Sequence, residues 1–281
     1  MHPWIVEHEL AIRLGAFGGA LIIMALWEVV ASVRPLRAAK GRRWLANLAL
    51  VALDTLLLRW LFPAAAVGMA WTAAQQQWGL FNRLAWPALL ELVLAVVLLD
   101  LAIYLQHVLF HILPPLRRFH MVHHADLDFD VTTGLRFHPV EILISMLWKL
   151  AVVAAVGPSL AAVLIFEVIL NAMAMFNHAN VHLPDAAERW LRWLVVTPDM
   201  HRVHHSVRLE ELNSNFGFNL PWWDRLLGTY RAQPRGGHLQ MTIGMQAFQE
   251  PRVQTLGWML TLPFTSAASG GWQTDREEPH P

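Results

Sequence analysis

The sequence has 281 residues, of which 56% are hydrophobic and only 15% are charged. Soluble domains carry about 25% charged residues, so this composition argues against a soluble globular enzyme. The 21 Lys and Arg residues balance the 21 Asp and Glu residues, which excludes the overall basic field of a nucleic-acid-binding protein. Cysteine is absent, which excludes disulfide scaffolds, Cys-ligated metals and thiol nucleophiles.

The first long apolar segment runs from Leu10 to Val33 and is interrupted only by Arg13 and Glu28. At about 1.5 Å per residue it measures roughly 36 Å, enough to cross a hydrocarbon core of about 30 Å. The preceding residues lack the basic region of a secretory signal peptide, and no A-x-A-like cleavage site follows. We therefore predict a transmembrane helix that is retained.

Two further long apolar segments run from about Leu45 to Trp71 and from about Trp86 to Leu113. Basic residues precede the first of these segments and follow the second. They are Arg34, Arg37, Lys40, Arg42, Arg43, Arg117 and Arg118. The positive-inside rule places these ends on the cytoplasmic side and the loop 72–83 on the other. An acidic partner protein that docks on the basic loop is the alternative explanation.

Two shorter apolar segments, 139–156 and 159–176, are joined by the turn signal Gly157-Pro158. Each is near the lower length limit for a transmembrane helix, which is about 17 residues. We predict a helical hairpin that leaves and returns on the same side of the membrane. A shallow re-entrant pair of helices is the alternative.

Ten of the 15 histidines lie in four short clusters, two with the spacing H-x3-H and two with the spacing H-x2-H-H. In chain order the clusters are His107 and His111; His120, His123 and His124; His178 and His182; and His201, His204 and His205. Residues three or four apart share a helix face, so each cluster is expected to direct its imidazoles to one point. All four clusters follow cytoplasmic ends of the predicted spans. We therefore predict a dinuclear metal site with about five ligands per ion.

The residues alone leave the metal open, because imidazole binds zinc, copper, iron and nickel. Neither H-V-L-F-H nor H-A-N-V-H contains the glutamate of the zinc-peptidase motif H-E-x-x-H. Soluble di-iron bundles use carboxylates rather than imidazoles alone. A histidine-rich metal transporter or sensor is an alternative class, although transport needs ligands along a path across the bilayer, whereas these are grouped at one end.

Asp100 and Tyr104 lie on the same helical face as the first cluster, within about 60°. Ionisable residues at membrane depth are functional candidates. Asp100 lies 11 residues before His111, and Glu167 lies 11 residues before His178. This matched spacing suggests two polar stripes that orient the ligand imidazoles or line a substrate tunnel. Hydrogen bonding between helices is the alternative role.

His138 stands outside the clusters, in the sequence R-F-H-P at the start of the predicted hairpin. We predict that His138 is a catalytic-site residue that supports a metal ligand or faces the substrate. A polar anchor at the membrane interface is the alternative.

These clusters and their flanking residues resemble the fatty acid hydroxylase / sterol desaturase superfamily of integral-membrane di-iron oxygenases. The resemblance covers roughly Leu92 to Tyr230. The matching stretches begin at Asp100 (D-x3-Y-x2-H), Leu116 (L-R-R-F-H-M-V-H-H-A-D), Asp130 (D-V-T-T-G-L-R-F-H-P-V-E), Phe176 (F-N-H-A-N-V), Thr197 (T-P-D-M-H-R-V-H-H-S) and Asn213 (N-S-N-F-G-F-N-L-P-W-W-D-R-L-L-G-T-Y). It implies that the ten histidines hold two irons and that O2 is the co-substrate.

The resemblance further implies hydroxylation or desaturation of a membrane lipid, sterol-like or fatty-acyl. A carotenoid or alkylglycerol monooxygenase of the same metal design is the alternative. The sequence has no G-x-G-x-x-G fingerprint, no C-x-x-C-H and no cysteine, so a separate electron donor is implied, a ferredoxin or a cytochrome b5-like protein with its reductase. Zinc is expected as a replacement for iron on overexpression. The specific lipid and the oligomeric state stay open.

Together these features predict an all-α fold, a polytopic membrane helical bundle with a cytoplasmic histidine-rich cap that holds the dinuclear site. We divide the chain into a transmembrane hairpin with loops (1–86), a fatty acid hydroxylase-like catalytic region (87–232) and a C-terminal interfacial segment (233–281). The segment 222–225 is predicted to pack the cap on the interface. The tail after Ser266 is predicted to be disordered.

Overall fold

The computed structural model describes residues 3–270, and within this range the chain is helical, with two isolated β-bridges and no β-sheet. The longer helices are α1 (Pro3–Ala31), α2 (Lys40–Leu61), α3 (Ala65–Gln75), α4 (Ala88–Ile112), α5 (Pro114–His124), α6 (Pro139–Val156) and α7 (Leu160–Asn177). Shorter helices follow: α8 (Asp185–Leu191), α9 (Pro198–His204), α10 (Leu209–Leu212), α11 (Trp222–Leu226), α12 (Gly237–Gln240), α13 (Leu256–Thr261) and α14 (Ala267–Gly270). Turns of 3₁₀ helix lie at Thr133–Leu135, Pro251–Gln254 and Leu262–Phe264. The all-helical prediction is confirmed. Of the tail predicted to be disordered, Ala267–Gly270 form α14, and residues 271–281 lie outside the described residues.

Among the described residues, five segments are long and apolar enough to cross a membrane. They are Glu7–Ala31, Lys40–Gln75, Ala88–Ile112, Pro139–Val156 and Leu160–Asn177. These segments coincide with the apolar runs of the sequence and indicate a multi-pass membrane protein. Helices α6 and α7 have 18 residues each, or about 27 Å, close to the roughly 30 Å of a hydrocarbon core.

The second membrane segment consists of two helices, α2 and α3, separated by residues 62–64. Pro63 lies in this break and has no backbone N–H to continue the hydrogen bonds of α2. Ala65 begins the next helix with a φ of 45°, in the left-handed region. The apolar run alone did not reveal this interruption.

Contacts between different segments hold the long helices together at both ends of the bundle. At one end, Phe81 N donates to the Val156 carbonyl (2.9 Å), and Gly79 and Gly157, both with positive φ, lie in contact. At the other end, Glu28 Oε1 of α1 accepts hydrogen bonds from Val131 N (2.7 Å) and Asn180 N (2.8 Å). Glu28 therefore ties α1 to two segments next to the histidine clusters, which accounts for an acid in an apolar helix.

Glu167 of α7 forms ion pairs with Arg13 of α1 and with Lys149 of α6 (2.7 Å to Nζ). Its side chain is nearly fully buried. These contacts support the alternative role, pairing between helices, rather than a polar stripe that orients the histidines.

Two residues of the basic cluster after α1, Arg34 in the loop and Arg43 in α2, help to hold the cap. Arg43 is fully buried and pairs with Asp126 (2.9 Å) and with Asp130. Arg34 donates to the backbone carbonyls of His238 and Met241 (2.7 Å to the latter). The basic cluster is therefore partly a structural feature of the histidine end.

Candidate metal centre

Nine histidines of the described chain form two adjoining buried groups at this end of the bundle. In each group every ring contributes one nitrogen as a candidate ligand, and these nitrogens lie within 4.8 Å of one another. The five-histidine group consists of His107, His111, His120, His124 and His204. The four-histidine group consists of His123, His178, His201 and His205. The groups touch, since the rings of His124 and His205 stack with centroids 4.6 Å apart.

The sequence predicts that each H-x2-H-H cluster converges on one point. In the structure, each of these clusters is divided between the two groups. His120 and His124 of α5 belong to the five-histidine group, whereas His123 belongs to the other. At about 100° per residue, adjacent positions on a helix differ too much in direction to serve one point. The second cluster divides in the same way, with His204 in one group and its neighbour His205, together with His201, in the other. Both short helices therefore lie between the groups and contribute to each.

His182, predicted to be the tenth ligand, lies outside both groups. Helix α7 ends at Asn177, and residues 179–182 are not helical, so the spacing that aligns two histidines on a helix face does not apply. The His182 side chain is 49% exposed and faces Asp185 (3.2 Å) and Asp199 (3.4 Å). The structure thus brings together nine of the ten predicted ligands and corrects the prediction for His182.

Backbone carbonyls determine which nitrogen carries the proton in three of the rings. The Nδ1 atoms of His107, His204 and His178 lie 2.7 Å from the carbonyl oxygens of Phe216, Ser214 and Ala174 respectively. A carbonyl only accepts, so each Nδ1 donates its proton. In the neutral ring Nε2 then presents a lone pair to the interior of its group.

Bare nitrogens consequently face each other. His107 Nε2 lies 3.1 Å from His204 Nε2, although neither atom has a proton to share. In the four-histidine group, His178 Nε2 lies 3.0 Å from His201 Nε2 and 3.2 Å from His123 Nε2. Two nitrogens bound at right angles to one ion at about 2.1 Å are about 3.0 Å apart. Both groups have the spacing that suits a cation, and in the five-histidine group coordination would also replace repulsion between the lone pairs of His107 and His204.

His205 gives a second indication. Its ring is fully buried, and neither of its nitrogens has a hydrogen-bond partner among the described residues. A buried polar atom without a partner costs about 1–3 kcal/mol, so such groups are rare unless a ligand satisfies them. A metal ion in the four-histidine group would do so.

Burial keeps these imidazoles neutral, which is the form that binds metals. Removal from water lowers the pKa of His120 and of His178 to about 3. Burial, with added repulsion from neighbouring imidazoles, lowers the pKa of the remaining cap histidines well below the ordinary value: His123, His124, His201, His204 and His205.

Glu141 in the first turn of α6 holds His120, and sequence reasoning did not identify it. Its Oε1 lies 2.6 Å from His120 Nδ1, and the carboxyl group is buried. A carboxylate at this position fixes the ring orientation and leaves Nε2 to the metal. The available signal was an isolated acid at the start of an apolar helix.

His138 caps the N-terminus of α6, where its Nδ1 accepts from Val140 N (3.1 Å). Its Nε2 lies 3.3 Å from the Leu260 carbonyl of α13, and its ring packs against Phe119 and Phe264. These contacts join α6 to the C-terminal segment. The support of a metal ligand predicted for His138 is provided instead by Glu141, three residues later.

The loop 213–221 supplies two of the carbonyls that orient the histidines, and Asp224 holds this loop. The two Asp224 carboxylate oxygens accept from Phe216 N and Gly217 N, each at 2.8 Å. A side chain at Gly217 would approach Asp224 Oδ2 to 2.7 Å, so the close turn requires glycine. The segment 222–225 therefore packs the cap, as predicted, and also orients His107 and His204 through the loop.

From α4, Asp100 holds the same loop, and Tyr104 contacts Thr229, which follows α11. Asp100 accepts from Trp223 Nε1 (2.8 Å) and from the backbone N–H groups of Asn219 and Leu220 (3.3 Å each). The Tyr104 hydroxyl lies 2.8 Å from Thr229 Oγ1. These contacts connect both residues to the segment that carries the orienting carbonyls.

Comparison with known proteins agrees with this site. Residues 92–229 match the family model described as fatty acid hydroxylase. An ornithine lipid hydroxylase (OlsE) of Rhizobium tropici is 33% identical over 150 residues, covering 53% of this chain and 44% of the relative. Human alkylglycerol monooxygenase is 24% identical over 184 residues, covering 64% and 39%. Cholesterol 25-hydroxylase of Rattus norvegicus is 27% identical over 152 residues, covering 53% and 49%.

No solved structure matches the chain. The matched segments span less than half of the length of each of these relatives. The relatives are named as hydroxylases or monooxygenases, which supports an enzymatic role. Each of the three names also includes a lipid. Residues 92–229 of the chain form a fatty acid hydroxylase domain, in agreement with the resemblance of its motifs.

Proposed function

We propose that the protein is an O2-dependent di-iron enzyme that hydroxylates or desaturates a membrane lipid with electrons from a separate donor protein. The observation that carries this proposal is the pair of adjoining, all-imidazole groups at the ends of membrane helices in a fatty acid hydroxylase domain. The names of the relatives support a lipid as the substrate.

Five histidines would hold one iron and four would hold the other. When bound, the irons supply the O2-derived oxidant for an unactivated C–H bond, which no amino-acid side chain can provide. Among the described residues, both groups consist of imidazoles and contain no carboxylate. The nearest ligands are therefore neutral and leave the metal charge uncompensated.

The protein's own contribution is orientation and exclusion of water. Glu141 and the carbonyls of Ser214 and Phe216 hold ligand rings in place. Each of the nine histidines is at most 3% exposed, so bulk water is kept from the reacting centre. Dry surroundings of this kind prevent side reactions of a strong oxidant.

An apolar substrate fits the position of the site. His107 lies 19 residues after the start of α4 and His178 directly after the end of α7, each roughly 27–29 Å along its helix. This length corresponds to the thickness of a hydrocarbon core, about 30 Å. A lipid chain can therefore approach the site from the bilayer without passing through bulk water.

We place the histidine end on the cytoplasmic side. Arg37, Lys40 and Arg42 are exposed at this end and satisfy the positive-inside rule. The same residues offer a docking surface for an acidic electron donor, a ferredoxin or a cytochrome b5-like protein. Because the sequence has no cysteine, Arg42→Cys and Trp78→Cys proteins test the side directly. A membrane-impermeant maleimide on intact cells should label the second protein and not the first, and the reverse result would refute the orientation.

Among the alternatives, an alkylglycerol monooxygenase is favoured by a specific observation, the matches to that enzyme in Homo sapiens and Xenopus tropicalis. A metal transporter or sensor gains no such support, because nine histidines lie together at one end of the bundle. Transport needs ligands along a path across the bilayer.

Lipid analysis of cells tests the function. Extracts from cells that express the wild-type chain should contain a lipid increased by 16 mass units or decreased by 2, absent from cells expressing His204→Ala. The matched control is His8→Ala, which removes an exposed histidine of α1 outside both groups and should retain the product. Identical extracts from all three strains, despite equal protein levels, would contradict the proposed function.

A further inference from the structure

A second site lies on the opposite face of α9 from the metal ligands. Helix α8, helix α9, helix α12 and the segment before α12 line an open cavity of about 370 Å³, within the usual size of small-molecule sites. Carboxylates, guanidinium groups and imidazoles line it. These residues include Asp185, Glu188, Asp199, Arg189, Arg192 and His238.

The cavity is separate from the metal centre. On α9, Asp199 and Arg202 are three residues apart and share a face, while His201 and His204 lie on the other face. One helix diameter, roughly 10 Å, therefore separates the cavity from the histidine groups. Nothing in the proposed oxidation uses these charges.

Glu188 provides the indication of a ligand. It lines the cavity and is only 7% exposed. Its Oε1 accepts from Arg192 (2.7 Å) and Thr197 (2.7 Å), whereas its Oε2 is buried without a hydrogen-bond partner among the described residues. An unsatisfied buried carboxylate oxygen needs a donor, and an ammonium group offers three.

Asp199 and His238 add a second incomplete contact. Asp199 Oδ1 accepts from Arg202 (2.6 Å), but Oδ2 has only weak contacts, 3.4 Å from His182 and 4.0 Å from His238 Nε2. The latter nitrogen is buried and also lacks a hydrogen-bond partner within residues 3–270. Carboxylates for a cation thus lie beside Arg189, whose guanidinium is suited to an acidic group.

The surroundings point to a lipid. The outer side of α8 and its following turn exposes Trp190, Trp193 and Leu194. Trp222 Nε1 donates to the Trp193 carbonyl (2.8 Å), which joins this patch to α11. Tryptophans are enriched at the level of the lipid headgroups.

The next residue, Trp223, connects the patch to the membrane bundle. Its Nε1 donates to Asp100, which lies 12 residues, or about 18 Å, before the end of α4. The aromatic patch is therefore continuous with a membrane helix. Helix α8 presents charged residues to the cavity on one side and the exposed Trp190 on the other.

We propose that the cavity between α8 and α9 binds the headgroup of a zwitterionic membrane lipid, one with an ammonium group and an acidic group. Glu188 and Asp199 accept from the ammonium, and Arg189 binds the phosphate or carboxylate. This inference rests on the proposed function insofar as the bound lipid is the substrate, and it names the class of that substrate.

The test measures binding without turnover. The purified full chain without added electron donor is titrated with didecanoyl phosphatidylethanolamine and, separately, with didecanoyl phosphatidylglycerol, which has the same chains and no amine. The wild-type chain should bind the first lipid about tenfold more tightly or better, the effect of one charge-assisted hydrogen bond. Equal affinities would overturn the proposal.

Variants locate the binding. Glu188→Gln should reduce this preference about tenfold. Because Glu188 also pairs with Arg192, the exposed Asp185→Asn and Arg189→Gln variants serve as a second set that leaves the fold intact, and each should weaken binding of phosphatidylethanolamine. Glu210→Gln, at a pair outside the cavity, is the matched control and should bind as the wild type does. Unchanged affinity in both Asp185→Asn and Arg189→Gln would overturn the assignment.

Free phosphoethanolamine distinguishes a lipid from a soluble ligand. It should bind far more weakly than the lipid, since it lacks the chains that lie against the aromatic patch. Equal affinity would replace the lipid by a soluble amine and so refute the proposal. Selective lipid binding by a chain that produces no oxidised lipid in cells would refute the proposed reaction and leave this site standing.

Discussion

The clusters His107/His111 and His178/His182 have the same H-x3-H spacing and different surroundings. The first lies within α4, which continues to Ile112, and both rings enter the five-histidine group. The second begins one residue after α7 ends, and only His178 enters a group. His182 lies instead in the charged cavity beside Asp199.

This difference teaches that ligand spacing is informative only where the backbone between the ligands is helical. The supports differ as well. His107 is oriented by a carbonyl from a distant loop, at Phe216, whereas His178 is oriented by Ala174 within its own helix. Loss of loop packing should therefore affect the five-histidine group first, and distortion of the end of α7 should affect the four-histidine group.

The largest expected difference is between two alanine substitutions in the H-x3-H clusters, at His107 and at His182. His107→Ala should abolish turnover and reduce the bound metal from two ions per chain to one, while His182→Ala should retain both ions. Metal analysis of purified protein, which counts zinc as well as iron, measures this. Loss of metal in His182→Ala would restore His182 as a ligand.

A smaller effect is expected at Glu141, which supports only the five-histidine group. Glu141→Ala should weaken metal binding there about 10–100-fold, as is usual when a carboxylate partner of a ligand histidine is removed. Glu141→Gln keeps an acceptor oxygen and should lose less. Titration with a competing chelator measures both, and wild-type affinity in the alanine protein would show that His120 needs no carboxylate.

Asp100 and Glu167 have matched positions in the sequence and should behave differently. Asp100→Ala leaves three donors of the 219–223 region without their acceptor, a cost of about 1–3 kcal/mol, and should lower metal occupancy of the five-histidine group. Glu167→Ala should reduce the yield of folded protein without changing metal per folded chain. Equal metal loss in both proteins would revive the hypothesis of two polar stripes.

The smallest effect is expected from Gly134→Ala, which tests the four-histidine group by adding a single methyl group. An added Cβ would lie 2.5 Å from the Ala174 carbonyl oxygen and 3.1 Å from His178 Nδ1, so the end of α7 must shift, at a cost of about 1–3 kcal/mol. We expect weaker metal binding in the four-histidine group only. Gly41→Ala is the control, because no atom lies within 4 Å of its added Cβ. Equal thermal stability and metal content in the two proteins would contradict this account.

Much of the fold was predictable because membrane helices are specified by local properties. Length and apolar composition located all five membrane segments, and Gly157-Pro158 marked the hairpin turn. The break near Pro63 was less evident, since proline also occurs within continuous membrane helices. Glu28 and Arg43 could be recognised as unusual from sequence, but their partners, more than 80 residues away, could not.

The sequence by itself determined the helical class, the membrane segments and nine of the ten proposed ligands, since periodicity and residue chemistry are local. Only the tertiary structure decided how those histidines divide into five and four, because neighbours on one short helix point to different ions. It also decided that Glu141 and two loop carbonyls orient the rings, and that Asp100 contacts that loop while Tyr104 contacts Thr229. These contacts join segments that are distant in the sequence. They depend on how the helices pack, and local sequence patterns do not reveal them.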